Sequence, residues 1–142
     1  SDWPDLPYAH GQSVRVRIEV PRRSFIKRGP SGGIDFVSPV PCPWNYGSIE
    51  GSQSEDGEPH DAVVLGRTLA WGQVTEAPVL GIIAFVDQGV RDPKVIVGAR
   101  LAGGERRDLE RFFRVYAGAK RTLRFWRPPT RFSGWLLDPD HA

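Results

Sequence analysis

Val14, Val16, Ile18 and Val20 alternate with Arg15, Arg17 and Glu19, and this period of two predicts a half-buried strand over Ser13–Val20, with Glu19 on its polar face. Residues 29–47 are dense in Gly and Pro and read as loops joining short extended pieces. Three apolar runs follow, at 61–65, 79–86 and Lys94–Val97, each short enough for a buried strand. Residues 122–126 alternate again, and beyond Arg127 the prolines and a glycine suggest an irregular tail. One helix stands out: Leu109, Phe112, Phe113 and Tyr116 recur at i, i+3, i+4 and i+7, with Glu105 where a negative charge suits a helix start. Five or more short strands and one late helix predict a mainly β chain with α, a small closed barrel with a helix packed against it.

At 142 residues the chain fits a single domain, 1–142, with room for one real core. Its 39% apolar and 25% charged composition is that of a globular protein rather than a disordered one. Cys42 is the only cysteine, which excludes an intrachain disulfide and a thiolate zinc cluster and agrees with a reducing compartment. No apolar run approaches the ~20 residues of a membrane span. The first residues lack the basic start and apolar stretch of a leader, and methionine is absent, so we expect a trimmed, leaderless, cytoplasmic chain. Net charge is +2, but residues 14–28 carry six basic side chains against Glu19 alone, and the acidic clusters lie in the middle. Basic ends around an acidic middle suit a polyanion held through metal ions; with no nucleic-acid motif beside the charge, nucleic acid ranks below that reading.

The segment from Ser54 to Asp61 sets Asp56, Glu58 and Asp61 around Gly57 and Pro59. Gly57 can take backbone angles closed to other residues and Pro59 fixes its own φ, so the turn crowds carboxylates without a helix. Crowded carboxylates repel, and an oxygen-ligand cation such as Mg²⁺ relieves them; taken alone, the segment fits a solvated acidic turn better. A second cluster shifts that balance. Asp87 and Asp92 flank a loop directly after the most apolar strand, and Lys94 opens the next one. Loops at strand ends are where a rigid scaffold mounts chemistry.

The order Glu19-Val-Pro21, Lys27, Asn45-Tyr46-Gly47, the acidic turn from Asp56 to Asp61, Asp87 to Asp92-Pro-Lys94, and Phe112-Phe-Arg-Val-Tyr116 resembles the soluble family I inorganic pyrophosphatases over about residues 13–127. The resemblance implies a five-stranded OB-like closed barrel with one or two packed helices, and Mg²⁺-dependent hydrolysis of pyrophosphate. By the same resemblance Asp56, Asp61 and Asp92 match the principal metal ligands, Asp87 a ligand of a further metal, and Glu19 a ligand shared with the position of Gly29. Glu58 stands where an aspartate acts near the nucleophilic water, and with Asp56, Lys94 and Tyr46 it forms the expected catalytic set. Lys27, Lys94, Tyr46 and Tyr116 match residues that hold phosphate oxygens.

Several matching positions are changed. A family glutamate is Gly29, the lysine after the helix tyrosine is Ala117, and a tyrosine upstream of Asn-Tyr-Gly falls on Cys42. The segment between Gly33 and Trp44 is short, and the family's phosphate-binding arginine has no clear counterpart; Arg28, Lys120 and Arg121 are candidates to restore the charge. Glu58 is one methylene longer than aspartate, a shift of about an ångström that can cost ~100-fold in rate. Among other residues, His60 reads as a solvent-exposed variant of an apolar position, Cys42 as a buried or idle thiol, and Trp44 as a residue that could line the site. Trp71, Trp126 and Trp135 read as core or interface.

Three functions compete. The first is a pyrophosphatase slowed by these changes. The second is a diverged enzyme on the same fold acting on an organic metabolite, phosphorylated or not. The third is a silent binding protein, which the retained charge of Asp56, Asp61, Asp87, Asp92 and Lys94 argues against. We expect the first, as a homo-oligomer acting on a small molecule.

Overall fold

The computed structural model describes residues 3–28, 31–55 and 57–140, with only the backbone at 35–37. Its sheet closes on itself. Strands β1 (Ser13–Val20), β4 (Asn45–Ile49), β5 (Asp61–Val64), β8 (Lys94–Val97) and β6 (Val74–Asp87) follow one another around a ring, and β6 returns to pair with β1. This is the five-stranded OB-like ring expected. Its pairings are antiparallel except β5 with β8. The ring closes because β6 is long: Val74 to Pro78 pair with β1, and from Val79 onward a register shift turns the strand toward β8. Strands β2 (Ile26–Arg28) and β3 (Ile34–Val37) form a separate ribbon; β7 (Val90–Arg91) and β9 (Arg131–Leu137) lie on β6. The helix α1 spans Glu105–Leu123.

Alternation sorts the side chains into two cores. Val14, Val16 and Ile18 of β1 meet Ala62, Val64, Val95 and Val97 inside the ring. The opposite face of the same strands, through Val63, Ile83, Phe85 and Ile96, packs against Leu109, Phe113 and Ala117 of α1. Extending those outward rows by two residues reaches Asp61 on β5, Lys94 on β8 and Asp87 on β6. The site residues therefore continue the helix-facing rows, and parallel pairing sets Asp61 directly beside Lys94.

Two segments differ from the sequence expectation. Residues 122–126 are no strand: α1 runs through Leu123 and turns follow, leaving Phe125 82% exposed and Trp126 63% exposed. The tail beyond Arg127 is not irregular but supplies β9. Within β6, Gly81 allows that approach, because a Cβ there would lie 2.9 Å from the Leu137 carbonyl oxygen and 3.1 Å from the Trp135 ring.

Candidate active site

A cavity of about 360 Å³ opens between the helix-facing side of the ring and α1. Asp61, Asp87, Asp92, Lys94, Lys27, Tyr46 and Tyr116 all line it. Asp56 and Gly29 lie outside the described residues. Glu58 does not line the cavity; its side chain is exposed on the turn, while its carbonyl accepts from the Ser54 amide and hydroxyl. Glu19 sits just beyond the lining, joined to it through Lys27.

Lys94 is the hub. Its Nζ lies 2.9 Å from Asp61 Oδ2, 2.8 Å from Asp92 Oδ2 and 2.5 Å from the Tyr46 hydroxyl, which itself donates to Asp61 Oδ2 at 2.8 Å. Burial alone would make the ammonium easier to deprotonate, but the charges of Asp61 and Asp92 hold it well above its ordinary value. Burial would likewise raise Asp61; the Lys94 charge and the hydrogen bonds from Lys94 and Tyr46 overcome it and keep that carboxyl low. Asp92 receives less. Burial pushes it up to about 6, with Lys94 pulling it down and the neighbouring Asp61 charge adding to the rise. Burial and then the Asp61 charge also keep the Tyr46 phenol protonated far above its usual range.

The Asn45-Tyr46-Gly47 motif has a structural division of labour. Asn45 is fully buried; its Oδ1 accepts from the amides of Arg22 and Leu69, and its Nδ2 donates to the carbonyls of Val64 and Arg67. Gly47 lets β4 approach β1, since a Cβ there would stand 2.0 Å from the Arg17 carbonyl oxygen. Between them Tyr46 is held over the cavity.

At the far wall Lys120 Nζ reaches both Asp87 oxygens, at 2.9 and 3.0 Å, and lies 5.5 Å from the Tyr116 ring centre. Of the three candidates for restored positive charge, Lys120 is the one that lines the cavity. Ala117 is buried in the outer core instead. Phe25, Ser24, Ser38 and Phe112 also line the cavity and were not foreseen as site residues. Phe112 carried a signal in the helical stripe, whereas Phe25 and the serines sit in irregular or short segments with no periodicity to mark them.

Trp44 does not line the site; it is buried, with its indole donating to Glu105 and its ring edge-on to Phe112. Cys42 is buried at the cavity wall, and desolvation pushes its thiol up to about 11, which keeps it inert. His60 is buried rather than exposed: Tyr8 covers it and its Nδ1 lies 2.7 Å from the Tyr8 hydroxyl. Trp71 and Trp126 are exposed and Trp135 is half-buried, with its indole donating to Glu110.

A barrel of this topology with acidic, lysine and tyrosine side chains gathered on its helix-facing side defines a class, and comparison with known proteins gives it a family. Residues 16–127 match the family model described as inorganic pyrophosphatase. The chain belongs to the inorganic pyrophosphatase family. It is 36% identical over 95 residues to the inorganic pyrophosphatase of Saccharolobus solfataricus, covering 61% of this chain and 55% of that one. It is 30% identical over 147 residues to the enzyme of that name from a Pseudanabaena species, covering 88% and 78%. Among solved structures, the inorganic pyrophosphatase of Thermus thermophilus superimposes with a TM-score of 0.74 at 28% identity, over 94% of this chain and 88% of that one. The chain spans about half the length of the first curated relatives it matches, 55% and 49%.

A metal implied by the family can be tested against the donors present. Glu19 Oε1 is buried without a hydrogen bond, 3.6 Å from Lys27 Nζ, while Oε2 accepts from Ser48. A buried carboxylate oxygen without a hydrogen bond at Glu19, and two carboxylates sharing one ammonium at Asp61 and Asp92, are oxygen donors of the kind a hard divalent ion takes. Among the described residues no three acidic, histidine or cysteine side chains form a ready cage, and Asp56 is not among them. Asp61 and Asp92 fit an ion in donor chemistry, each with an oxygen outside the Lys94 contact, and Glu19 is a donor of the same kind. The Asp87 side does not, because both its oxygens are taken by Lys120.

Proposed function

We propose that this chain hydrolyses inorganic pyrophosphate to two phosphates with Mg²⁺, more slowly than a member with the full set of site residues. The observation that carries this reading is the single cavity in which Asp61, Asp87 and Asp92 face Lys27, Lys94 and Lys120. Such a wall binds a small polyanion: the ammonium groups neutralise phosphoryl oxygens, and the protonated Tyr46 and Tyr116 hydroxyls orient them. For Tyr116, too, burial keeps the phenol protonated, with the lysine charges opposing. Asp61 and Asp92, with Asp56 and Glu19, would hold the ion. When bound, it supplies Lewis acidity, polarising phosphoryl oxygens and making water a better nucleophile. Glu58, exposed on its turn, must swing inward to take the role its position implies, and we assign the slow rate chiefly to it. Family membership supports a cytoplasmic homo-oligomer as well.

A second reading has its own observation. Val20, Phe25, Cys42 and Phe112 form an apolar part of the cavity wall, which pyrophosphate alone does not use. That wall suits a phosphorylated compound with an apolar group. Steady-state phosphate release from pyrophosphate and from a phosphomonoester with an aromatic group separates the two. We expect kcat/KM to favour pyrophosphate; a preference for the aromatic ester by tenfold or more would make the second reading the correct one.

A further inference from the structure

Lys120 and Asp87 form a charge pair that the family resemblance does not foresee, since it casts Asp87 as a ligand of a further metal. The pair is tightly built. Lys120 Nζ bonds both carboxylate oxygens, at 2.9 and 3.0 Å, and Thr130 Oγ1 donates to Oδ1 at 3.2 Å while accepting from the Gln88 amide at 3.1 Å. Lys120 is 8% exposed and Thr130 1% exposed, while the Asp87 side chain is 26% exposed toward the cavity. The backbone supports the arrangement. A Cβ at Gly89 would stand 2.9 Å from Pro128, so the loop after Asp87 packs directly on the segment that carries Thr130. On α1, Lys120 lies four residues beyond Tyr116 and shares its face, whereas Ala117 turns into the outer core.

We propose that Lys120 is a resident counter-cation of the cavity: its ammonium neutralises Asp87, keeps divalent ions off that carboxylate, and lowers by one the number of ions the site takes up. The inference rests on the proposed metal-dependent hydrolysis. Its physical basis is exclusion. Lys120 occupies both Asp87 oxygens, whereas Lys94 takes only Oδ2 from each of Asp61 and Asp92, so an ion at Asp87 must first displace the ammonium.

The test counts ions without using turnover. Mn²⁺ binding to the purified chain is followed by electron paramagnetic resonance up to millimolar concentration, for the wild type, Asp87→Asn, Lys120→Met and the double variant. We expect the wild type and Asp87→Asn to bind the same number of ions with affinities within about twofold, because Asp87 ligates none. Lys120→Met should bind one more ion, and the double variant should lose it again. Loss of an ion in Asp87→Asn, or a tenfold weakening, would overturn the proposal, and so would a folded Lys120→Met that gains none. If Lys120→Met does not fold, Asp87→Asn decides alone. An ion that appears only in Lys120→Met would uphold the exchange while removing the metal-dependent reading of the wild type. No ion in any variant overturns both.

Discussion

Lys94 shares one ammonium between two carboxylates, and the unequal share leaves Asp92 as the group that responds to pH. Its folded-state value of about 6 lies above the ~3.9 of an exposed aspartate, so folding takes up a proton between them and stability falls as pH rises through that window. In chelator, Asp92→Asn removes this loss while Lys94 keeps Asp61 and Tyr46 as partners. Its melting temperature relative to the wild type should therefore increase from pH 4 to pH 7.5; an unchanged difference would contradict the assignment. Lys94→Met has the opposite character. It strands two half-buried carboxylates and should cost about 1–3 kcal/mol in urea unfolding at pH 7.5. At this scale Asp61, Asp87, Asp92 and Lys94 were legible as a group, because short apolar strands with charged ends put those residues on loops and strand starts. His60 was not. Its burial comes from Tyr8, 52 residues away, and no local pattern encodes such a contact.

Strand β4 shows why a three-residue motif can be worth more than its length. Asn45 ties four backbone groups, Tyr46 enters the cavity and Gly47 permits contact with β1. Gly47→Ala should destabilise the chain by at least about 2 kcal/mol, since neighbouring backbone must move, in contrast to an open glycine such as Gly51. Equal urea midpoints for Gly47→Ala and the wild type would show that the strands can part at no cost. Elements that bury one face announced themselves: β1 reads alternately exposed and buried almost throughout, as its sequence alternates. The misread ones have no such face. Leu123, Phe125 and Trp126 are apolar yet exposed, so their alternation was not the mark of a strand. Conversely, β9 is nowhere fully buried and contains Gly134, so its membership of the sheet depends on β6 rather than on its own pattern.

For the whole molecule, ring closure through β1 and β6 fixes the helix-facing rows that carry the site, and α1 closes the cavity from outside. Crowded acidic groups on that surface should make the fold respond to the ion it binds. Millimolar Mg²⁺ should raise the melting temperature of the wild type and raise it less in Asp61→Asn, because a ligand selective for the native state stabilises by mass action. The overall architecture was readable from strand lengths and one helical stripe; the cavity's apolar wall was not, because it joins Val20, Phe25, Cys42 and Phe112 from separate elements. Phosphate release from pyrophosphate, measured across a Mg²⁺ titration for the wild type and Asp61→Asn, tests the central claim most directly. The account predicts Mg²⁺-dependent turnover by the wild type and a loss of ~100-fold or more in Asp61→Asn. No release by the wild type at any Mg²⁺ concentration, or equal rates for the two proteins, would contradict it.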